Sequence, residues 1–159
     1  MKKILISVLF FGILFITSCE KRVALGDIEA EKANINSVLE NYVKSVENED
    51  MNLYAQTMAH DSEMVNFGSS GEPIIGWDAL KKAIEGQNAA LSETKIDVSD
   101  MKIHVGEDGK FCCATCLWNF QAKIGENAIK LPVRCTWILE KRENRWIIVH
   151  FHKSVAATE

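Results

Sequence analysis

The sequence has 159 residues, room for one domain with a modest core, and 22 acidic side chains outnumber 18 basic ones to leave a formal charge of −4. An acidic chain without a basic cluster excludes nucleic acid as a partner, because phosphate neutralisation drives such binding. There is no P-loop, no dinucleotide fingerprint and no H-E-x-x-H motif, so the sequence implies no cofactor and no metal site of those kinds.

The chain opens with Met1-Lys2-Lys3, a basic segment, followed by an apolar run from Ile4 to Ile16 that is too short for a membrane span of about 20 residues. It reads as an export leader. Ile16-Thr17-Ser18-Cys19 resembles the bacterial lipobox, in which small residues precede the cut and a cysteine thiol carries the lipid. The expected organisation is a lipoprotein signal peptide over 1–18, a lipidated Cys19 with its tether over 19–27, and one domain over 28–155. Glu20 follows the cysteine, and the resemblance to Gram-negative lipoproteins implies a cell-envelope address on the outer membrane, facing the periplasm or the surface. A lipid anchor of this kind holds a soluble domain at the membrane without spanning it.

From Asp27 the pattern is helical. Ile35, Val38, Leu39, Tyr42, Val43 and Val46 form the stripe of an amphipathic helix, with Asp27 as its expected N-cap and Glu29 and Glu31 in its first turn. A break at 48–50 leads to a shorter helix over 51–59 with Leu53, Tyr54, Thr57 and Met58 on one side. A short strand at 64–67, turn residues at 68–73 and Ile74-Ile75 make a small hairpin. Gly76-Trp77-Asp78 then opens a third helix, whose Leu80, Ile84, Gln87 and Leu91 share a face. Four strands follow, over 94–105, 110–124, 128–140 and 145–154.

Helix, helix, hairpin, helix and then a long meander is an α+β order, in which a curved antiparallel sheet wraps around three helices and leaves a cone-shaped cavity. The segments H-D-S-E-M-V-N-F-G, I-I-G-W-D-A-L, and R-x-T followed by R-W-I-I-V-H-F-H-K-S resemble the nuclear-transport-factor-2-like superfamily, with its cystatin-like cone, and within it the SnoaL-like domains. The resemblance covers nearly all of residues 28–155. It implies the fold but not one function, because such folds host isomerases, dehydratases, cyclases, epoxide hydrolases and non-catalytic modules.

Polar breaks set the expected strand register. Arg142-Glu143-Asn144 supplies an asparagine where a three-residue loop needs a left-handed residue, placing Lys141 opposite Arg145, Thr136 opposite His150 and Arg134 opposite His152. Gly125-Glu126-Asn127 offers the same chemistry and places Trp118 opposite Arg134 and Cys116 opposite Thr136. A row of Trp118, Arg134 and His152 on one sheet face results. A two-residue turn at either place would break it, since a slip of one residue turns every side chain to the other face. Glu107-Asp108-Gly109 similarly sets His104 opposite Cys112, although the long third strand has room for a bulge.

The resemblance puts the R-x-T and H-x-S positions on the concave side, which implies that Arg134 and His152 line a pocket. The leading expectation is a small, largely apolar ligand whose acceptor group is held by Arg134 and His152 while Trp118 packs on its body; His150, Trp77 and Tyr54 are further candidates for the wall or mouth. The alternative is a lyase or isomerase in which neutral His152 takes a proton and Arg134 stabilises the oxyanion. His60-Asp61 is a second candidate acid/base pair, and Asp97 and Asp100 are candidate buried carboxylates only if their strand points them inward. A third reading is a non-catalytic module that forms a homodimer through the convex sheet face. The alternate face, with Val133, Cys135, Trp137, Leu139, Ile147, Val149 and Phe151, must be covered by something; if the helices cover it, the row points outward and the Arg134 and His152 pocket fails. Cys112, Cys113, Cys116 and Cys135 read as small core residues, since three of them share one strand and cannot readily pair with one another.

Overall fold

The predicted stripe forms α1, Leu25–Glu47, which buries Ile35, Leu39, Tyr42 and Val46. This comes from a computed structural model describing residues 25–69 and 71–156; the leader, Cys19 and residues 20–24 of the tether lie outside the described residues. Asp27 sits within the first turn of α1 and does not cap it, because the helix already begins at Leu25. Asp50 then caps α2, Met51–Thr57, by accepting hydrogen bonds from the backbone N–H groups of Asn52 and Leu53. The two helices form a hairpin whose buried side carries Tyr54, Thr57 and Met58.

β1, Val65–Asn66, pairs antiparallel with β2, Ile74–Ile75, and α3, Trp77–Ala90, follows with Leu80 and Ile84 buried. The main sheet is the expected antiparallel meander of β3, Ser92–Val105, β4, Phe111–Ile124, β5, Asn127–Arg142, and β6, Arg145–Val155. β6 is an edge, and the chain after α2 runs alongside it. Ala59 N–H donates to Ile148, Phe67 N–H to Phe151, and Lys153 N–H to Phe67. The Asn66 side chain accepts the Phe151 N–H at 2.9 Å. These bonds occupy backbone groups that an open edge would leave unpaired.

The register departs from expectation at each long hairpin. β4 and β5 join through a two-residue turn, Gly125-Glu126, with Ile124 opposite Asn127 and Gly125 at φ +59°. Trp118 therefore faces Val133, and Leu117 faces Arg134. β5 and β6 join through Glu143-Asn144, both left-handed at φ +49° and +62°, the requirement of a type I′ turn. A bulge on β6 then moves the partner of Ile138 to His150 while Leu139 keeps Ile148. Beyond it, Thr136 faces His152, Cys135 faces Lys153 and Arg134 faces Ser154. His104 likewise pairs with Cys113, not Cys112, and β3 carries the anticipated bulge between Ser99 and Lys102 as well as an irregularity between Ser92 and Lys95.

The inner face is consequently Cys112, Ala114, Cys116 and Trp118 on β4, Val133, Cys135, Trp137 and Leu139 on β5, and Trp146, Ile148, Phe151, Lys153 and Val155 on β6. α1 and α2 pack on it in one continuous core. The two-residue turn puts Ile148 inside and leaves Ile147 and Val149 half-buried on the outer side, and the bulge then returns Phe151 to the inner face. Each large apolar side chain buried here stabilises the fold by about 1.5–3 kcal/mol. α1 is also pinned by polar contacts at both ends. Glu47 accepts the Ile96 N–H at 2.9 Å, and Glu31 accepts from Lys141 Nζ at 2.5 Å and Trp146 Nε1 at 2.6 Å.

Candidate functional site

The row expected across the sheet does not exist. Trp118 points into the cone, whereas Arg134 and His152 lie on the outer face, both exposed. Arg134 Nη2 donates to the Val155 carbonyl at 3.2 Å, and His152 meets Phe67 edge to face at 5.5 Å. The cause is the single residue by which the Gly125-Glu126 turn is shorter than a three-residue loop. Arg134 and His152 therefore neither hold a ligand inside the cone nor act as an acid/base pair there.

The other candidates disperse as well. His60 is exposed and stacks on Trp77, with ring centroids 4.0 Å apart. Asp61 accepts two hydrogen bonds from Arg142, at 2.8 and 2.7 Å, and this guanidinium holds its carboxyl below the usual range. The pair is a surface tie between the loop after α2 and the tip of β5, and His60 and Trp77 sit beside it, away from the cone. His150 is half-buried, with Nδ1 2.5 Å from the Val65 carbonyl oxygen. Asp97 and Asp100 are exposed, and Asp97 accepts from Asn119 and Gln121.

The inner face carries a different row, in which Cys116, Cys135 and Lys153 stand side by side on β4, β5 and β6. Lys153 Nζ lies over three rings, 4.7 Å from the centroid of Trp118, 4.9 Å from Phe151 and 5.2 Å from Tyr42. Among the described residues no carboxylate pairs with it. Such a cation–π cage recovers part of the lost hydration but not all of it, and burial pushes the Lys153 pKa down. The residue nevertheless keeps part of its surface accessible.

The surrounding aromatics are buried and close. Tyr42 from α1 lies 5.3 Å from Tyr54 of α2, 6.2 Å from Trp118, 6.0 Å from Trp137 and 6.2 Å from Phe151. The Tyr42 and Tyr54 hydroxyls and the Trp118 and Trp137 indole N–H groups are buried with no hydrogen-bond partner among the described residues. Indole and ammonium groups are donors only, and a phenol donates readily. The interior is thus walled by rings and holds several donors that close no hydrogen bond of good geometry among the described residues. Burial raises the pKa of both phenols and lifts the Cys112 thiol to about 12, while the hydrogen bond between the facing thiols of Cys116 and Cys135 pushes Cys135 up.

Sequence reasoning had Tyr42 only in the core stripe and did not consider Lys153. One signal for Lys153 was present: along Phe151-His152-Lys153-Ser154-Val155 it shares parity with Phe151 and Val155, a charge on an apolar face. Among the described residues no group of histidine, cysteine and carboxylate side chains is arranged to hold a metal ion.

A SnoaL-like domain profile matches residues 35–158. The chain superposes with a TM-score of 0.76 on a candidate scytalone dehydratase from Novosphingobium aromaticivorans, at 14% identity over 86% of this chain and 91% of that one. A nuclear transport factor 2-like superfamily protein from Salmonella enterica gives 0.75 at 21% identity over 82% and 94%. A candidate dehydratase of the same superfamily from Streptomyces avermitilis gives 0.73 at 11% identity over 82% and 99%. No curated protein sequence matches. These likenesses carry the fold, which is that of nuclear transport factor 2-like proteins, and the profile match over most of the chain carries the family: the protein belongs to the SnoaL-like domain family.

Proposed function

We propose that the domain binds a small, largely apolar molecule whose single acceptor group is held by Lys153 at the centre of the cone. One observation carries this reading: an ammonium lies over a cluster of aromatic rings in which four buried N–H or O–H groups close no hydrogen bond of good geometry among the described residues. Unpaired buried donors are costly unless something else satisfies them, and an acceptor-bearing apolar ligand does so while its body packs on Trp118, Trp137 and Phe151. Titration of aromatic carboxylates against the tryptophan fluorescence of the chain tests it. Binding that falls at least about tenfold in Lys153→Met, the scale of one lost charged hydrogen bond, and stays unchanged in Arg134→Ala and His152→Ala supports the site. Equal binding by Lys153→Met and the parent rejects it.

The leader motif supports a second element of the proposal, that this domain works in the cell envelope on a lipid carried by Cys19. Incorporation of labelled palmitate that survives Cys19→Ser would dismiss it. A homodimer through the outer sheet face is supported by Phe111 and Leu117, which remain exposed there. The apolar inner face is covered by α1 and α2 and gives no reason for a second subunit. A monomer in sedimentation velocity would remove the dimer.

A further inference from the structure

We propose that Lys153 is a covalent nucleophile that forms an imine with small, largely apolar aldehydes or ketones, which makes carbonyl compounds the ligand class of the cone. The proposal rests on the binding reading above and extends it from holding an acceptor oxygen to bonding the carbon that bears it.

Four features of the surroundings of Lys153 converge on this chemistry. The amine is caged by Trp118, Phe151 and Tyr42 at 4.7–5.2 Å, and no carboxylate among the described residues fixes it as an ammonium. Lys153 itself keeps part of its surface accessible, and an apolar body that reaches the nitrogen there meets aromatic rings. Lys153 comes from a strand paired to Cys135 on one side and tied through its own N–H to Phe67 on the other, so its backbone is held. Finally, the Tyr42 ring lies 5.2 Å from the amine and 5.3 Å from the Tyr54 ring, and neither hydroxyl closes a hydrogen bond of good geometry among the described residues, which leaves both available as donors to a carbonyl oxygen.

The bookkeeping needs no co-reactant. The neutral amine's lone pair bonds to the carbonyl carbon and the C=O electron pair moves to oxygen. One nitrogen proton passes to that oxygen, giving a carbinolamine. A phenol proton then converts the hydroxyl to leaving water as the nitrogen lone pair closes the C=N bond, and the phenolate recovers the remaining nitrogen proton. Amine and carbonyl compound become imine and one water: one amine proton leaves in that water, and the other restores the phenol whose own proton completed it. Burial favours the first step, because a lysine whose pKa is lowered presents more of the neutral, nucleophilic form near neutrality.

The test exposes the full chain to cinnamaldehyde and sodium cyanoborohydride near neutral pH and maps the products by peptide mass spectrometry. Reduction traps only the imine, as a gain of the aldehyde's mass less one oxygen; a hemithioacetal on Cys116 or Cys135 is not trapped. The expected result is a Lys153 adduct forming at least severalfold faster than adducts on the exposed Lys110 and Lys130, since a lysine whose pKa is lowered presents more of the neutral amine at the same pH. Labelling of Lys153 at or below the rate of those lysines overturns the proposal. Cinnamate, titrated by tryptophan fluorescence, separates the two readings. If cinnamate binds and no Lys153 adduct forms, the imine fails and the binding site stands; if neither occurs, both fail. The map is made on the parent chain, so it does not depend on any variant folding.

Discussion

Lys153 stands directly opposite Cys135 in the β5–β6 ladder, with its amine 4.7 Å from the centre of the Trp118 ring, while its neighbour His152 faces solvent on the other side of the same strand. The inward residue of that pair is the one expected to be unable to carry charge cheaply.

The first prediction concerns that cost. Burial lowers the Lys153 pKa, so between the lowered value and about 10.4 the unfolded chain binds a proton that the folded chain does not. The residue's contribution to stability therefore rises with pH across this window and is poorest below it, where the native state must hold the charge among rings. Lys153→Met keeps the length and removes the charge. The variant is expected to be more stable than the parent by about 1–2 kcal/mol at mildly acidic pH, with the gap narrowing as the pH approaches 10. Urea unfolding of both proteins across the pH range checks it, and a gap independent of pH would show that the amine stays solvated.

That the lysine escaped a reading of the sequence, while the helices and strands did not, has a physical cause. Elements are written as periodicity, and the stripe from Ile35 to Val46 or the β-branched run from Trp146 to Phe151 persists through several turns or residues. Facing is written in turns and bulges of one residue. Gly125-Glu126-Asn127 and Arg142-Glu143-Asn144 each contain residues suited to a two-residue or a three-residue loop, and the structure uses the shorter in both. The bulge at Val149 has no side-chain signature at all. The Glu143-Asn144 turn and this bulge each shift the register by one residue, so together they move the partner of Arg134 from His152 to Ser154 and leave both residues on one face, whereas the Gly125-Glu126 turn alone separates Trp118 from Arg134. The fold was legible because it averages over many residues, and the site was not because it depends on the parity of two short turns.

The second prediction concerns the clamp on α1. Glu31 accepts from Lys141 and Trp146, with side chains only 15% and 24% exposed for Glu31 and Lys141, and its pKa is held low chiefly by the Lys141 hydrogen bond. A depressed carboxyl stabilises the fold above its unfolded pKa of about 4.3, and this is lost as pH falls through the lower folded value. Glu31→Gln should cost about 1–2 kcal/mol near pH 7 and little near pH 2, read by chemical denaturation at the two values. By contrast Arg142→Ala, which breaks the more exposed pair with Asp61 at 38% and 44%, should cost less than about 1 kcal/mol. A larger loss from Arg142 than from Glu31 would reverse the assignment of which tie matters.

The third prediction concerns the entry to α3. Gly76 lies at φ +80° and ψ 161°, a region open essentially only to glycine, and a Cβ there would stand 2.6 Å from the Ser62 carbonyl oxygen. The backbone oxygen has no flexible side chain to yield. Gly76→Ala is expected to destabilise by at least about 2 kcal/mol, whereas Gly86→Ala, in mid-helix with open space around its missing Cβ, should stabilise by about 0.5–1 kcal/mol. Thermal unfolding of the two variants gives opposite signs if the argument holds and equal signs if it does not.

The fourth prediction sets stability against binding within one pair of residues. Tyr42 and Tyr54 are both 0% exposed and their hydroxyls find no partner among the described residues, so each desolvates a polar group with no compensating bond inside the fold. Removing such a hydroxyl leaves the ring, and with it the packing against Trp118, Trp137 and Phe151, unchanged. Tyr42→Phe and Tyr54→Phe should therefore leave stability equal or raise it by up to about 1 kcal/mol, where loss of a satisfied buried hydroxyl would lower it by about 1 kcal/mol or more. If the phenols serve as donors to a ligand oxygen beside Lys153, the same substitutions must weaken aromatic carboxylate binding by about five- to tenfold each, one neutral hydrogen bond's worth. Calorimetric unfolding and fluorescence titration on the same samples read both quantities. Opposite movements of stability and affinity would mark the hydroxyls as groups retained for a ligand. A parallel loss of both would mean that the phenols bond within the protein, and that the interior has fewer free donors than the proposed site requires.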